Sequence, residues 1–404
     1  MPSAPALDLE ELGPDFVRDP YPVYAALRAQ GPVHHVRPPE GEELWLVVGH
    51  EACRAALVDP RLTRDVRKVD LALHPYGEGG GADNPALSHM LLRDAPDHTR
   101  LRRLVAREFS PRRIAALTPR IQRITDDLVD AMLADGSRRA DLVAALGFPL
   151  PMIVICELLG VPSADRDDFR RWSNEIVAPT GQERLHAAYG DMVDYLRRLT
   201  VAKREQPGDD LLSALIHTVD EGGDRLSGDE LIGMAFLLLI AGHETTVNLI
   251  GNGMRALFAH PDQLDLLRAD PDGLIDGAIE EMLRYDGPVE TATPRWTTEP
   301  VTIGDTLVPA GATVLVALAD ADRDPARFAE PDRFDIRRDA RGHIAFGHGL
   351  HYCLGAPLAR LEGRIAVRAL LERCPDLGLD ADVTALPWVP GLLMRGVRTL
   401  PVRW

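Results

Sequence analysis

Apolar residues recur at helical spacing over much of the chain. In RIQRITDDLVDAML, residues 120–133, they stand at positions 121, 124, 128 and 132, the three- and four-residue steps of one helix face. Residues 185–204 and 209–219 show similar spacing. Strand patterns are shorter, at 44–48 and within 301–318, where β-branched runs are interrupted by GD and PAG turns. These patterns predict a mainly α fold with small antiparallel β-sheets.

The longest helical pattern follows Ser227, which together with Glu230 forms a capping-box sequence. From there the chain runs to His260 without a proline, and residues 234–241 are apolar on all sides. Such a helix is expected to cross the middle of the protein rather than its surface. Its centre, AGHETT at 241–246, places glycine and threonine where a buried helix disfavours them. Broken local rules of this kind mark a functional or strained position.

The chain shows no internal repeat and no linker that would divide it. We therefore predict a single domain over residues 1–404, with residues 1–15 as a loose N-terminal segment. The glycine-rich stretch at 74–85 lacks periodicity and is predicted to be a flexible loop.

Composition narrows the function classes. The net charge of −17 argues against nucleic acid as a partner. The acidic N-terminus lacks the features of an export signal, and the apolar run at 234–241 is far shorter than a membrane span. The four cysteines contain no CxxC pair, which disfavours a disulfide framework or a zinc site. We expect a cytoplasmic protein that does not associate with a membrane.

One cysteine, Cys353, stands in the unusual sequence FGHGLHYCLG at 346–355. A lone cysteine is most often a small buried hydrophobe, but its surroundings here favour another role. Three glycines permit tight turns and close approach of a bulky group. A helix pattern begins directly afterwards, and a helix N-terminus favours a thiolate. A thiolate in this setting suits a single soft iron ligand.

The spacing of Phe346, Gly349, Cys353 and Gly355 resembles the haem-binding signature of cytochrome P450 enzymes. The resemblance extends from about residue 16 to the end of the chain, and it is closest to soluble actinobacterial members that tailor macrolides and other polyketides. It implies the cytochrome P450 fold, a haem b cofactor and Cys353 as the thiolate ligand of the iron. Phe346, Gly349 and Gly355 then belong to the haem-binding loop.

AGHETT resembles the oxygen-binding segment of the same family, with Ala241 beside the haem. Thr245 can bond back to the carbonyl of Ala241, and Gly242 lets the helix open there. Glu244 and Thr245 are the candidate catalytic residues, because a hydroxyl backed by a carboxylate can relay the protons that oxygen activation needs.

Two further groups of residues follow from the resemblance. Glu281 and Arg284 lie on one helix face and match the family's ExxR motif, to which we expect Arg333 to add a third, structural member. Four basic residues match family positions that contact the haem propionates: His98, Arg102, Arg295 and His351.

Positions that contact substrate in the family correspond to Leu237, Ile240, Ala241, Thr291, Leu393 and Met394. The stretch at 74–85 and residues 172–190 are expected to form a lid over a bulky, hydrophobic small molecule. Glu78 and Asp83 could meet an amino-sugar cation, although a solvated loop is favoured.

The resemblance implies a monooxygenase that inserts one atom of O2 into a C–H bond or an alkene. Electrons would come from NAD(P)H through a ferredoxin reductase and a ferredoxin, for which the arginine-rich segment at 100–114 is a candidate docking surface. We expect a monomer. A peroxide-driven peroxygenase and a non-catalytic haem-thiolate sensor of gases or ligands remain alternatives, and the Glu244–Thr245 pair disfavours both.

Overall fold

The computed structural model describes residues 6–38, 42–69, 84–134, 136–177, 180–219 and 223–404. Helices dominate this part of the chain: α1 Gly13–Arg18, α2 Tyr21–Gln30, α3 His50–Val58, α4 Asp97–Ala106, α5 Pro111–Ala116, α6 Thr118–Ala134, α7 Pro149–Leu159, α8 Arg166–Val177, α9 Gln182–Glu205, α10 Leu211–His217, α11 Gly228–Ala259, α12 Pro261–Ala269, α13 Pro271–Asp286, α14 Leu318–Ala321 and α15 Ala356–Arg373. The strands are short: β1 Leu7–Asp8, β2 Val33–Arg37, β3 Leu44–Val47, β4 Leu62–Thr63, β5 Arg139–Asp141, β6 Arg295–Thr297, β7 Val301–Ile303, β8 Thr306–Val308, β9 Thr313–Val316, β10 Gly378–Leu379 and β11 Pro401–Arg403. The mainly α prediction is confirmed.

The chain forms two compact units. The first comprises residues 1–63, 125–148 and 245–404, and the second comprises residues 64–124 and 149–244. Both α6 and α11 run from one set of residues into the other.

The largest sheet lies in the first unit and has the strand order β1-β2-β3-β9-β6-β4. Our expectation of antiparallel sheets is wrong for this one, because β1 pairs with β2 and β3 pairs with β9 in parallel. Parallel neighbours need a long crossover between them, so no local turn signal in the sequence could announce the β3–β9 pair. The strands β7 and β8 form the expected antiparallel hairpin.

Within the predicted loose segment of residues 1–15, the structure has the short strand β1 and, from Gly13 onward, helix α1. Leu7 and Asp8 pair with Val36 and Arg37 of β2. Leu9 is 1% exposed and belongs to the hydrophobic core beneath this sheet.

The second unit is built from helices that pack through aromatic side chains. Phe169 of α8 lies edge-on to Tyr195 of α9, with ring centroids 4.8 Å apart, and the Tyr195 hydroxyl donates to Asp165. The predicted lid segment 172–190 corresponds to the end of α8 and the start of α9, with residues 178–179 outside the described range. Most of the stretch at 74–85, including Glu78 and Asp83, also lies outside it.

Helix α11 follows its sequence pattern closely. The capping box is present, since Ser227 N–H donates to Glu230 Oε2 at 2.8 Å and Glu230 N–H donates to Ser227 Oγ at 3.2 Å. The helix is long and apolar enough to cross a membrane, but most of its apolar stretch is buried within the protein. The core helix of a soluble protein gives the same signal.

Candidate functional site

The loop that carries Cys353 is held by its backbone. The Cys353 N–H donates to the carbonyl of Phe346 at 2.9 Å, which closes the loop. Gly347 and Gly349 both adopt φ of +73°, a conformation that side chains with a Cβ disfavour. At Gly349 the loop also passes so close to α3 that a Cβ would lie 2.5 Å from Val58 Cγ1. Glycine is therefore required at this position for two reasons.

Cys353 differs from the other three cysteines in being exposed, while Cys53, Cys156 and Cys374 are buried. Gly355 caps the N-terminus of α15, and a Cβ there would lie 3.9 Å from Cys353 Sγ. The exposed sulfur thus sits at a helix start, where the dipole favours the thiolate. An accessible soft donor beside glycines fits the ligation of iron in a flat prosthetic group.

A buried ion pair on α13 holds the segment that precedes this loop in the sequence. Glu281 and Arg284 of α13 are 0% and 1% exposed and form a bidentate pair, with N–O distances of 2.7 and 2.8 Å. Arg284 also donates to the carbonyls of Asp322 and Pro331, each at 2.9 Å. The pair therefore fixes α13 against the segment around 322–335.

The third member of this pair is Arg338, which corrects our expectation of Arg333. Arg338 Nε lies 3.3 Å from Glu281 Oε1, whereas the Arg333 side chain is 56% exposed and lies near Glu330. The Arg333 carbonyl points inward and accepts from Arg284 at 3.3 Å. Both arginines belong to PDRFDIRRDA, and only the turn between them decides which side chain reaches the interior.

The centre of α11 holds a buried histidine that the sequence analysis did not assign. His243 is 1% exposed. Its Nδ1–H donates to the Leu239 carbonyl at 2.8 Å, and its Nε2 accepts from the Ser173 hydroxyl of α8 at 2.8 Å. Burial lowers the pKa of His243 to about 4, so the ring is neutral. A histidine within an apolar helix is a sequence signal for a buried polar contact. Its partner could not be predicted, because Ser173 on α8 is distant in the sequence.

Glu244 is the residue after His243 on α11 and belongs to the second unit. Burial raises its pKa to about 7, and its Oε2 lies 3.9 Å from His243 Nε2. On α11, residues 231–239 and 246–254 are buried, but Ala241 between them is exposed and Glu244 and Thr245 are partly exposed. The helix is therefore open on one side at this point. A carboxyl group that titrates near neutral pH and a neighbouring hydroxyl are suited to passing protons there.

The profile of the cytochrome P450 family matches residues 152–375, more than half of the chain. The chain belongs to the cytochrome P450 family. It is 59% identical to the cytochrome P450 monooxygenase PikC of Streptomyces venezuelae, over 100% of this chain and 95% of that protein. It is 42% identical to the mycinamicin IV hydroxylase/epoxidase of Micromonospora griseorubida, over 94% of each chain. The tirandamycin C-bound structure of the P450 monooxygenase TamI has a TM-score of 0.89 at 45% identity and covers 98% of this chain and 99% of that one.

Membership in the P450 family shows that the protein is a monooxygenase with a haem cofactor. The exposed thiol, the glycines beside it and the adjacent helix start fit such a group. The roles of the individual residues stay predictions.

The predicted propionate contacts lie in both units. In the second, His98 is 1% exposed and stands one turn before Arg102 on α4. Burial and, less strongly, the charge of Arg102 lower the pKa of His98 to about 4. In the first unit, Arg295 begins β6 and is 4% exposed, and His351 ends a 3₁₀ turn within the Cys353 loop.

The predicted substrate contacts of the first unit lie together. Thr291 is buried and its hydroxyl donates to the Leu392 carbonyl at 2.8 Å. Its hydroxyl hydrogen is therefore already used within the protein. Val289 forms a bridge with Met394, and Leu393 is exposed. On α11, the predicted contacts are buried Leu237, partly exposed Ile240 and exposed Ala241.

Proposed function

We propose that this P450 uses haem b to insert one oxygen atom from O2 into a C–H bond or an alkene of a bulky hydrophobic natural product, a macrolide or a related polyketide. The observation that carries the proposal is the placement of Cys353: it is the exposed cysteine, held on a glycine loop at the start of α15. Relatives that act on mycinamicin IV or bind tirandamycin C support this substrate class.

The haem would be held through Cys353, with Phe346, Gly349 and Gly355 shaping the loop and Ala241 on the opposite side. His98, Arg102, Arg295 and His351 would neutralise its propionates. When bound, the haem supplies the activation of dioxygen that the protein side chains cannot perform.

Protons would be delivered by Glu244 and Thr245. The pKa of about 7 lets Glu244 hold a proton at working pH and release it to the neighbouring hydroxyl. Thr245 would pass the proton onward, and Glu244 would then take up a new proton from solvent.

Electrons would come from NAD(P)H through a ferredoxin reductase and a ferredoxin. Arg112 and Arg113 at the start of α5 are exposed, in a protein of net charge −17, and suit an acidic partner. Reversing both charges should slow reduction by ferredoxin, and the defect should shrink as salt is raised. We expect the enzyme to act as a cytoplasmic monomer.

The test of the haem site is Cys353→Ser, with Cys374→Ser as the matched change at a buried thiol. Protein expressed with haem precursors should show a thiolate-type Soret band in the reduced CO complex, and only the Cys353 variant should lose it. A colourless wild-type protein, or a Cys353→Ser variant with an unchanged spectrum, would overturn the proposal.

Substrate class is tested separately by spectral titration. Macrolides and other polyketides should displace the spin-state equilibrium of the haem, and product analysis with a surrogate ferredoxin and reductase should show hydroxylation or epoxidation. Binding of small planar aromatics in preference to every polyketide would contradict the substrate class while leaving the haem assignment intact.

A further inference from the structure

Helices α13 and α15 are joined by a ladder of three ion pairs. Arg360 pairs with Glu280 at 2.5 Å, Arg364 with Asp276 at 2.9 Å and Arg368 with Asp272 at 2.5 Å. The residue numbers rise by four on α15 and fall by four on α13, as expected for one face of two antiparallel helices. The Arg360 pair is the one nearest to the Cys353 loop along α15.

This first pair is built differently from the other two. Arg360 and Glu280 are 29% and 28% exposed, whereas Asp276 and Asp272 are each at least 75% exposed. Arg360 donates to Glu280 through two nitrogens, at 2.5 and 2.8 Å. Exposed pairs contribute little to stability, but a bidentate and partly buried pair fixes the guanidinium in one orientation.

A second partner holds Glu280 in place. His343 Nε2 lies 3.0 Å from its Oε2. Although burial raises the pKa of Glu280, the hydrogen bonds from Arg360 and His343 dominate and hold it at about 2. Glu280 therefore stays ionised and anchors the Arg360 guanidinium from behind.

The guanidinium faces the Cys353 loop. Its Cζ lies 4.5 Å from the centroid of the Phe346 ring, within the range of a cation–π interaction. Its NH1 lies 3.4 Å from the hydroxyl of Tyr352, the residue before Cys353. The Phe346 carbonyl in turn accepts the Cys353 N–H at 2.9 Å. Arg360 thus contacts both ends of the loop that presents the sulfur.

We propose that Arg360 is a positioning residue for the iron ligand: fixed by Glu280 and His343, it clamps Phe346 and Tyr352 and places a positive charge behind the Cys353 thiolate. The inference rests on the proposed haem-thiolate site. A nearby positive charge favours the more negative, reduced state of the centre, and groups around a ligating sulfur tune its potential. The charge of Arg360 should therefore raise the reduction potential, and its contacts with Phe346 and Tyr352 should hold the loop so that the sulfur stays bound as thiolate.

The experiment compares Arg360→Met, Arg360→Lys and, as the matched control, Arg364→Met in the haem-loaded enzyme. The midpoint potential is measured by spectroelectrochemistry with chemical mediators, so that ferredoxin docking plays no part. The share of reduced CO complex in the thiolate form rather than the thiol form is read from the Soret band.

Arg360→Met should have a more negative midpoint potential and a several-fold larger thiol-type share, while Arg364→Met should match the wild type in both. Arg360→Lys keeps the charge but not the planar, bidentate contact, so it should restore the potential and not the spectrum. Because Lys preserves the charge, this variant gives a reading even if Arg360→Met fails to fold with haem.

Equal shifts in Arg360→Met and Arg364→Met would overturn the inference, since they would reveal a general surface-charge effect. A Lys variant that equals the wild type in both readings would overturn the clamp. If the wild type itself shows no thiolate-type spectrum, the proposed function fails rather than this inference.

Discussion

The Cys353 loop and the centre of α11 both depart from ordinary local structure, but in opposite ways. In the loop the backbone is unusual: two glycines have φ of +73°, and a main-chain hydrogen bond closes the turn. In α11 the backbone stays helical, and the unusual features are the side chains of His243 and Glu244, whose pKa values burial moves in opposite directions.

This difference predicts two kinds of response to mutation. Because the backbone conformation in the loop strongly favours glycine, replacing these glycines should destabilise the loop by a large amount. Buried polar side chains on a regular helix can be replaced without changing the fold, so substitutions in α11 should alter stability and proton transfer by degrees.

The largest effect is expected for Gly349→Ala, which probes the rigidity of the loop. Positive φ costs about 1–2 kcal/mol, and the contact of the new Cβ with Val58 adds about 1–3 kcal/mol of overpacking. We expect the free energy of unfolding in urea to fall by roughly 4 kcal/mol, with loss of haem content.

Two variants separate these causes. Gly347→Ala has the same φ, but in the part of the chain that the structure describes no atom lies closer than 3.9 Å to the new Cβ, so it should lose only the part due to strain. Adding Val58→Ala to Gly349→Ala should recover the part due to overpacking. Equal losses in both glycine variants would show that the contact with Val58 contributes nothing.

The second largest effect is expected for a buried carboxylic acid on α15, the helix that follows the Cys353 loop. Glu362 of α15 is 1% exposed, its Oε2 has no hydrogen-bond partner among the described residues, and burial raises its pKa to about 8 from 4.5. The folded state therefore binds more protons than the unfolded state between these values, so stability falls as pH rises from 4.5 to 8. Glu362→Gln should be more stable than the wild type by about 3 kcal/mol at pH 7, and equal to it below pH ~4.

Urea denaturation at several pH values checks this expectation. Glu372→Gln, on the exposed end of the same helix, is the control and should leave the stability curve unchanged. A Glu362→Gln variant that is less stable at neutral pH would mean that the carboxylate has a stabilising partner.

The regular elements of this protein could be predicted well from the sequence. The helix pattern from Ser227 to His260 became α11, Gly228–Ala259, because periodicity, the capping box and the absence of proline all act locally. The glycine spacing around Cys353 identified the loop for the same reason, since each glycine meets a local backbone requirement.

Features that depend on distant segments could not be predicted. The parallel pairing of β3 with β9 joins residues far apart in the chain. Whether Arg333 or Arg338 lies beside Glu281 depends on the path of the turn between them, and in the structure it is Arg338. The partnership of Ser173 with His243 depends on how α8 packs against α11. Each is a tertiary contact for which the sequence holds several equivalent candidates.

A smaller effect, seen in turnover rather than folding, is expected for Glu244→Gln. The pKa of about 7 means that the carboxyl loses its proton as pH rises through neutrality, so wild-type product yield per NADPH should decline between pH 6 and 8. The Gln variant should show a yield about tenfold lower without this pH dependence, with more hydrogen peroxide released. Substrate affinity, read from the spin-state shift, should change little. If the variant keeps the pH profile of the wild type, Glu244 does not deliver the protons.

The smallest effect concerns the hydrogen bond between Ser173 and His243. Ser173→Ala removes the Ser173 hydroxyl as a donor to the buried Nε2 of His243, and losing a hydrogen bond to a buried group costs about 1–2 kcal/mol. Replacing both partners with apolar groups removes the penalty, so Ser173→Ala should cost much less in a His243→Phe background. A double-mutant cycle by urea denaturation measures the coupling. If the two changes are additive, the hydrogen bond does not stabilise the packing of α8 on α11.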